Sequence, residues 1–226
     1  MVFVDDDNVL ATDYLENVLA ILASHPRVGA AGGRIVPEFE EPPPAWVRQF
    51  DKALALRDLG GEVLLASPMP RGAATDFPEC APIGAGLVLR REPARRYAEA
   101  IRSRKGRVIA DRTGNRLSSG GDNDLVLTVL ENGWEAGYFP QLALTHLIPA
   151  SRCTRTHLAR LLRESHRSWF AVLDAHGLRP RRPVPPLLAP ALKMRAWLQL
   201  HAWRGPVEFL HWQDRCGEIE GRSNLR

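Results

Sequence analysis

Apolar positions in the first 150 residues follow two rhythms, one short and β-rich and one with helical spacing. Val2-Phe3-Val4 is a short β-branched and aromatic run that stops at Asp5-Asp6-Asp7, which predicts a buried strand ending in a loop. Across residues 12–23, Tyr14, Leu15, Val18, Leu19 and Leu22 share one helical face, with Thr12 as candidate N-cap and His25-Pro26 as the stop. Residues 28–36 predict a second strand, softened by Gly29, Gly32 and Gly33. Pro42-Pro43-Pro44 then opens a polar, turn-rich stretch reaching about residue 80. Gly86-Leu87-Val88-Leu89 predicts a third strand, and residues 92–104 a helix with Pro93 in its first turn. A polar loop over 111–122 leads to a helix marked by Leu125, Val126, Val129 and Leu130, ending near Gly133. Strand-like runs follow at Tyr138-Phe139 and at Leu142-Ala143-Leu144, before Thr145-His146. Strands alternating with helices predict an α/β layer structure with a mainly parallel sheet.

The remainder reads as helical. Leu158, Leu161, Leu162, Trp169, Phe170 and Leu173 form an apolar stripe from which Arg160, Arg163 and Arg167 largely diverge. Five prolines over 180–190 act as a spacer, and residues 192–203 form a second amphipathic piece with Trp197 and Trp203 near Lys193, Arg195 and Arg204. The expected division is therefore an α/β portion over 1–150 and a basic helical extension with a Pro-rich spacer over 151–226.

Composition changes this picture little, but charge changes it more. The 226 residues are 45% hydrophobic and 25% charged, which excludes a disordered, collagen-like or coiled-coil chain. Three widely spaced cysteines without a CxxC pair argue against a disulfide framework or cysteine zinc site and for a reducing, cytoplasmic setting. The net charge of +4 conceals an uneven distribution: residues 1–150 carry 16 basic against 20 acidic side chains, and residues 151–204 carry 11 against 2. No motif or aromatic spacing points to nucleic acid. Tryptophans beside arginines on amphipathic helices instead suit an anionic membrane surface, met peripherally from its inner face.

Two acidic clusters carry the candidate chemistry. Three successive carboxylates at Asp5, Asp6 and Asp7 repel one another, and a hard divalent cation would relieve that repulsion; the alternative is a solvated acidic turn. The second cluster is Leu117-Ser118-Ser119-Gly120-Gly121-Asp122-Asn123-Asp124-Leu125, where two glycines permit a tight turn into a helix. One carboxylate there suits an N-cap, and its neighbour could serve as a general base.

In chain order, Phe3-Val4-Asp5-Asp6-Asp7-Asn8, Tyr14-Leu15-Glu16, Gly84-Ala85-Gly86-Leu87-Val88-Leu89-Arg90-Arg91-Glu92, Ser119-Gly120-Gly121-Asp122-Asn123-Asp124-Leu125, Leu130-Glu131-Asn132-Gly133-Trp134, Tyr138-Phe139-Pro140 and Thr145-His146 form one combination. It resembles a family 2 glycosyltransferase of the GT-A fold over about residues 1–150. The resemblance implies a partial GT-A, Rossmann-like sheet flanked by helices, with a helical extension. It implies a Mg²⁺ or Mn²⁺ cofactor, a nucleotide-sugar donor and a hydroxyl acceptor, lipid-linked acceptors included, as in cell-envelope polysaccharide or glycolipid synthesis. The family's DxD motif falls on Asp5 and Asp7, with Asp6 between them in the donor site. His146 matches a late histidine that completes the metal site in some relatives, or is a hydrogen-bonded histidine at a strand end. Asp122 is the implied catalytic base, although Gly121 stands where the family usually has Glu. Gly84, Ala85, Gly86, Asp124 and Trp134 fall in the acceptor region, although Trp134 reads more readily as a packing residue than as a sugar-stacking one. The family carries a nucleotide-binding portion ahead of the DxD strand, whereas this chain starts four residues before the motif. The expectation is thus the carboxyl-terminal part of a transferase.

Two other readings use the same residues. Asp5-Asp6-Asp7-Asn8-Val9 fits the nucleophile motif of haloacid-dehalogenase-like phosphatases, with Asp5 as nucleophile, Asp7 as acid/base and Lys105 as the later lysine. The other is a non-catalytic, membrane-associated remnant that uses the basic helices.

Overall fold

The computed structural model describes residues 1–72, 77–103, 120–178 and 182–225. The chain forms two compact units. Met1–Glu40, Leu54–Val108 and Asp122–Ile148 make the first, and Glu41–Ala53, Ile109–Gly121 and Pro149–Arg226 the second.

The first unit is α/β, with mixed sheets flanked by helices. Its described elements are β1 (Asn8–Leu10), α1 (Tyr14–Ser24), β2 (Val28–Gly32), β3 (Ile35–Phe39), β4 (Leu64–Ala66), β5 (Val88–Leu89), α2 (Arg91–Ser103), α3 (Gly121–Glu131), β6 (Glu135–Tyr138) and β7 (Leu144–Ile148). One sheet has the order β4-β6-β2-β5 and the other β1-β7-β3. Only β2–β6 and β3–β7 are parallel pairs; β1–β7, β2–β5 and β4–β6 are antiparallel. The expectation of a mainly parallel sheet is corrected accordingly: three of these five pairings are antiparallel, and each joins strands far apart in sequence, which no local pattern records.

Alternation along the central strands explains how the four-stranded sheet is covered. Ala30, Leu87, Leu89, Ala136 and Tyr138 pack with Leu125, Val126, Val129 and Leu130 of α3, while Ala31, Val88 and Phe139 pack with Tyr14, Val18 and Ile21 of α1. Adjacent positions such as Ala30 and Ala31, or Leu87 and Val88, therefore meet different helices, and β2 is apolar throughout. Arg90 fastens this arrangement: its guanidinium donates to Val28 O at 2.6 Å, to His25 O at 3.0 Å and to Leu22 O, placing positive charge on the carbonyl end of α1.

The strand expected over 28–36 divides between the two sheets. Gly33 marks the division, because a Cβ there would lie 2.1 Å from Leu142 O and 2.4 Å from Phe139 O. Val2-Phe3-Val4 forms only a bridge, Val2 to Val88. Strands β1 and β4 arise where the sequence suggested loops. Helix α1 starts at Tyr14, with Asp13 rather than Thr12 at its N-cap and no side-chain capping bond.

The second unit is helical, with α4 (Arg155–Ala175), α5 (Ala189–Gln199) and α6 (Pro206–Ser223). Thr154 caps α4 by accepting from His157 N at 3.2 Å. Helix α6 has no strong periodic signature because small residues form much of its inner face: Cys216, Gly217, Ile219 and Gly221 are buried beside Leu210. A Cβ on Gly217 would lie 2.3 Å from Arg163 O, and one on Gly221 2.7 Å from the Phe170 ring, so these glycines set the close approach of α4 and α6. Glu220 ties the helices together, accepting from Arg163 Nε at 3.1 Å and from Lys193 Nζ at 2.5 Å. His166 Nδ1 and Asp214 Oδ1 meet at 2.8 Å along the same seam.

Two outcomes test this seam. Gly217→Ala gains up to about 1 kcal/mol of helix propensity but forces backbone overlap costing about 1–3 kcal/mol, so a lower urea midpoint is expected. Burial would raise the Glu220 carboxyl, but the bonds from Arg163 and Lys193 outweigh it and hold it below the usual glutamate range. This contribution is complete above the ordinary glutamate pKa of about 4.3 and is lost as pH falls through the depressed value. Glu220→Gln should therefore destabilise at pH 7 by about 1–2 kcal/mol, allowing for the half-buried Arg163, and differ less from wild type below about pH 4.

Candidate functional site

The first three residues position the acidic turn. Met1, Val2 and Phe3 run antiparallel to β5: the terminal amine donates to Leu89 O at 2.8 Å, Leu89 N to Met1 O at 2.9 Å, and Phe3 N to Leu87 O at 2.9 Å. Because β5 is itself antiparallel to β2, this segment runs parallel to β2 and leaves the sheet at the carboxyl end of β2 and β6. Residues 84–86 enter β5 at that same end. The topology thus gathers the acidic turn and the small-residue stretch at one sheet edge, where α/β ligand sites commonly lie.

Asn8 N donates to Asp5 O at 3.1 Å and closes the turn. Asp5 and Asp6 are exposed, and Asp7 is partly buried. Asn8 then pairs with His146 across β1 and β7, and Leu147 N donates to Asp7 O at 2.8 Å. This register sets Asp7 Oδ2 3.5 Å from the Nε2 of His146, which is 6% exposed. Asn8 Nδ2 donates to Asp7 Oδ1 at 2.8 Å, while Asn8 Oδ1 is buried without a hydrogen-bond partner among the described residues.

A carboxylate and an imidazole nitrogen at this separation can share one cation with ligand distances near 2.0–2.2 Å. The carboxylate oxygen suits Mn²⁺ or Mg²⁺, and the imidazole nitrogen favours Mn²⁺, the transition metal of the two. Among the described residues no group of three or more His, Cys, Asp or Glu converges on a metal position. Such a cation is often held by one or two carboxylates and completed by substrate phosphates, so the pair fits that use without forming a full cage.

Asp122 lies in the first turn of α3. Its Oδ1 accepts from Asn123 N at 2.8 Å and its Oδ2 from Gly84 N at 3.1 Å, so the carboxylate links the helix start to the stretch leading into β5. Two backbone amide bonds and the candidate chemistry fall on the same side chain. Asp124, next along, is 1% exposed.

Arg57 is a neighbour that sequence reasoning missed. Its guanidinium donates to Ala81 O at 2.5 Å and to Glu79 O, and its backbone exchanges two bonds with Ile35. Burial is the main influence on it and lowers its pKa; the charges of several neighbours, Asp122 among them, oppose that shift. Its only sequence signal was an arginine between Leu56 and Asp58 in a turn-rich stretch, which does not distinguish it from a surface residue.

Trp134 does not join this assembly. It follows α3 at the helix end opposite Asp122, about 15 Å away along the axis at 1.5 Å per residue. It packs beside Gly29, whose Cβ would fall 2.7 Å from Trp134 Cβ, and borders an open cleft of about 430 Å³ with Arg27, Glu92, Arg96 and Asn132. That cleft lies at the amino end of β6, away from the acidic turn. Leu117, Ser118, Ser119 and Lys105 lie outside the described residues.

No protein-family model matches the chain, and no curated protein matches it either.

The small-residue stretch separates two requirements. Gly86 has φ +70°, and a Cβ there would lie 2.5 Å from Leu144 Cδ2 and 2.7 Å from the Tyr14 hydroxyl, which donates to Gly86 O at 2.5 Å. At Gly84 the nearest atoms are 3.8 and 3.9 Å away, both in Asp122. Gly86→Ala should cost about 2–4 kcal/mol from left-handed backbone strain plus overpacking. Gly84→Ala should fold within about 0.5 kcal/mol of wild type. Urea denaturation of both variants checks the contrast.

Proposed function

We propose that this chain belongs to the metal-dependent, inverting glycosyltransferase class with a GT-A-like fold, acting on a nucleotide-sugar donor and a hydroxyl acceptor. The observation that carries the reading is Asp7 facing His146 in a turn at the same sheet edge as Gly84-bound Asp122. Asp7 and His146 would hold Mn²⁺ or Mg²⁺, with Asp5 and Asp6 beside the donor. When bound, the ion would neutralise charge on the donor diphosphate.

The protein's own step is proton removal. Asp122 accepts the acceptor hydroxyl proton while that oxygen forms a bond to the anomeric carbon from the face opposite the diphosphate. The carbon–oxygen bond to diphosphate breaks, and its electron pair leaves with the phosphate. The Gly84 and Asn123 amides orient the carboxylate, and the nearby Arg57 adds positive charge. Gly121 contributes no acidic side chain to the acceptor site, so positioning there falls to backbone and to Asp122 itself.

Calorimetric titration with uridine or guanosine diphosphate tests the proposal. Expected is binding that requires Mn²⁺ and weakens about 10- to 100-fold in Asp7→Asn and His146→Ala. Asp122→Asn should retain that binding, and transfer, assayed as diphosphate release with a hydroxyl acceptor, should fall about 10²- to 10⁴-fold. Diphosphate binding indifferent to Mn²⁺ would overturn the reading. So would hydrolysis of p-nitrophenyl phosphate that depends on Asp5, which belongs to phosphatase chemistry.

A further inference from the structure

The outer face of α5 has the wrong chemistry for water. Ala189, Leu192, Lys193 and Ala196 turn inward, with Ala189 and Ala196 buried and Leu192 packed on Val184 and Ile219. At 100° per residue, the opposite face of α5 is Ala191, Met194 and Leu198, spaced three and four apart, and the 3-10 turn before it presents Leu187. Leu187 is 94% exposed, Met194 61% and Leu198 57%, and Leu188 at 54% lies on their flank. Trp203, 55% exposed, follows the end of the helix, its ring 6.4 Å from that of Trp197. A helix apolar on both faces, with one face open, needs a partner for that face.

Charge selects the partner. From residue 175 to residue 207 there is no carboxylate and there are six Lys or Arg. Arg182, Arg195 and Arg204 are exposed around the ridge, while Lys193 is engaged by Glu220 and so strengthens the inner face. A second copy of the chain would bring two carboxylate-free basic segments together, which like-charge repulsion opposes. A nucleic acid would leave the leucines without apolar contact. An anionic bilayer surface satisfies both chemistries: Leu187, Met194 and Leu198 enter the acyl boundary, Trp203 sits at the headgroup level, and the arginines meet anionic headgroups. Among the described residues no helix is long and apolar enough to cross a membrane, which is compatible with an in-plane helix.

We propose that α5, with the turn before it and Trp203 after it, is an in-plane docking surface for anionic lipid. The inference stands independently of the transferase reading.

Full-length protein is co-sedimented with vesicles of pure phosphatidylcholine and with vesicles containing equal parts of phosphatidylglycerol. Binding should appear with the anionic vesicles, weaken as salt rises, and fall about tenfold or more in Leu187→Asp, a position too exposed to be needed for folding. Arg195→Gln should weaken it about fivefold. A fluorophore attached through Leu187→Cys should brighten on anionic vesicles, the native cysteines being buried. Equal binding to both vesicle types overturns the proposal, as does loss through Leu187→Asp of a light-scattering dimer without any vesicle binding. Unchanged vesicle affinity in Leu187→Asp overturns it too, since charge alone would then carry the interaction.

Discussion

Three backbone hydrogen bonds between residues 1–3 and residues 87–89 hold the candidate site at its sheet edge. They fix the direction in which the chain reaches Asp5-Asp6-Asp7, and they do so next to the backbone that supplies Gly84 N to Asp122. The constraint behind them is steric. Gly86 must adopt a left-handed backbone with no side chain, because Tyr14 and Leu144 occupy the space a Cβ would need. The Tyr14 hydroxyl then satisfies the Gly86 carbonyl inside the core, which spares a buried acceptor a cost of about 1–3 kcal/mol. Burial also pushes the Tyr14 phenol well above its usual range, so it remains a neutral donor at any physiological pH.

The pairing of β1 with β7 provides the second half of the site. An antiparallel register places Asn8 opposite His146, so the last carboxylate of the turn meets the imidazole without any flexible reach. Asp7 and His146 come from segments far apart in sequence, and only this strand register joins them. The second unit depends on close approach in a different form. Gly217 and Gly221, one helical turn apart, let α6 lie against the α4 backbone, and Glu220 between them collects two cations from α4 and α5.

Legibility in the sequence followed the kind of force involved. Repeated carboxylates and a helix opened by Gly-Asp are written in neighbouring residues, so the acidic turn and the start of α3 could be read directly. The split between β2 and β3 could not, because it arises from carbonyls of Phe139 and Leu142 lying against Gly33. Helix α6 escaped for a similar reason: its buried face uses glycine and cysteine instead of a leucine stripe. Arg57 was invisible because its partners are backbone carbonyls near residue 80, which no side-chain pattern records. Trp134 looked like a site residue by its place in a motif, yet the length of α3 carries it to the far end of the sheet. In the basic extension, aromatic and arginine neighbours were legible. That the apolar ridge of α5 faces outward required knowing which side α6 covers.

The proposed function turns on Asp7 and His146 holding one cation shared with a diphosphate. Pulsed electron paramagnetic resonance of Mn²⁺ with the protein and a nucleoside diphosphate addresses it most directly. The account predicts one Mn²⁺ population coupled both to phosphorus and to an imidazole nitrogen, with the nitrogen coupling absent in His146→Ala. A Mn²⁺ signal without phosphorus coupling, or one whose nitrogen coupling survives that substitution, would contradict it.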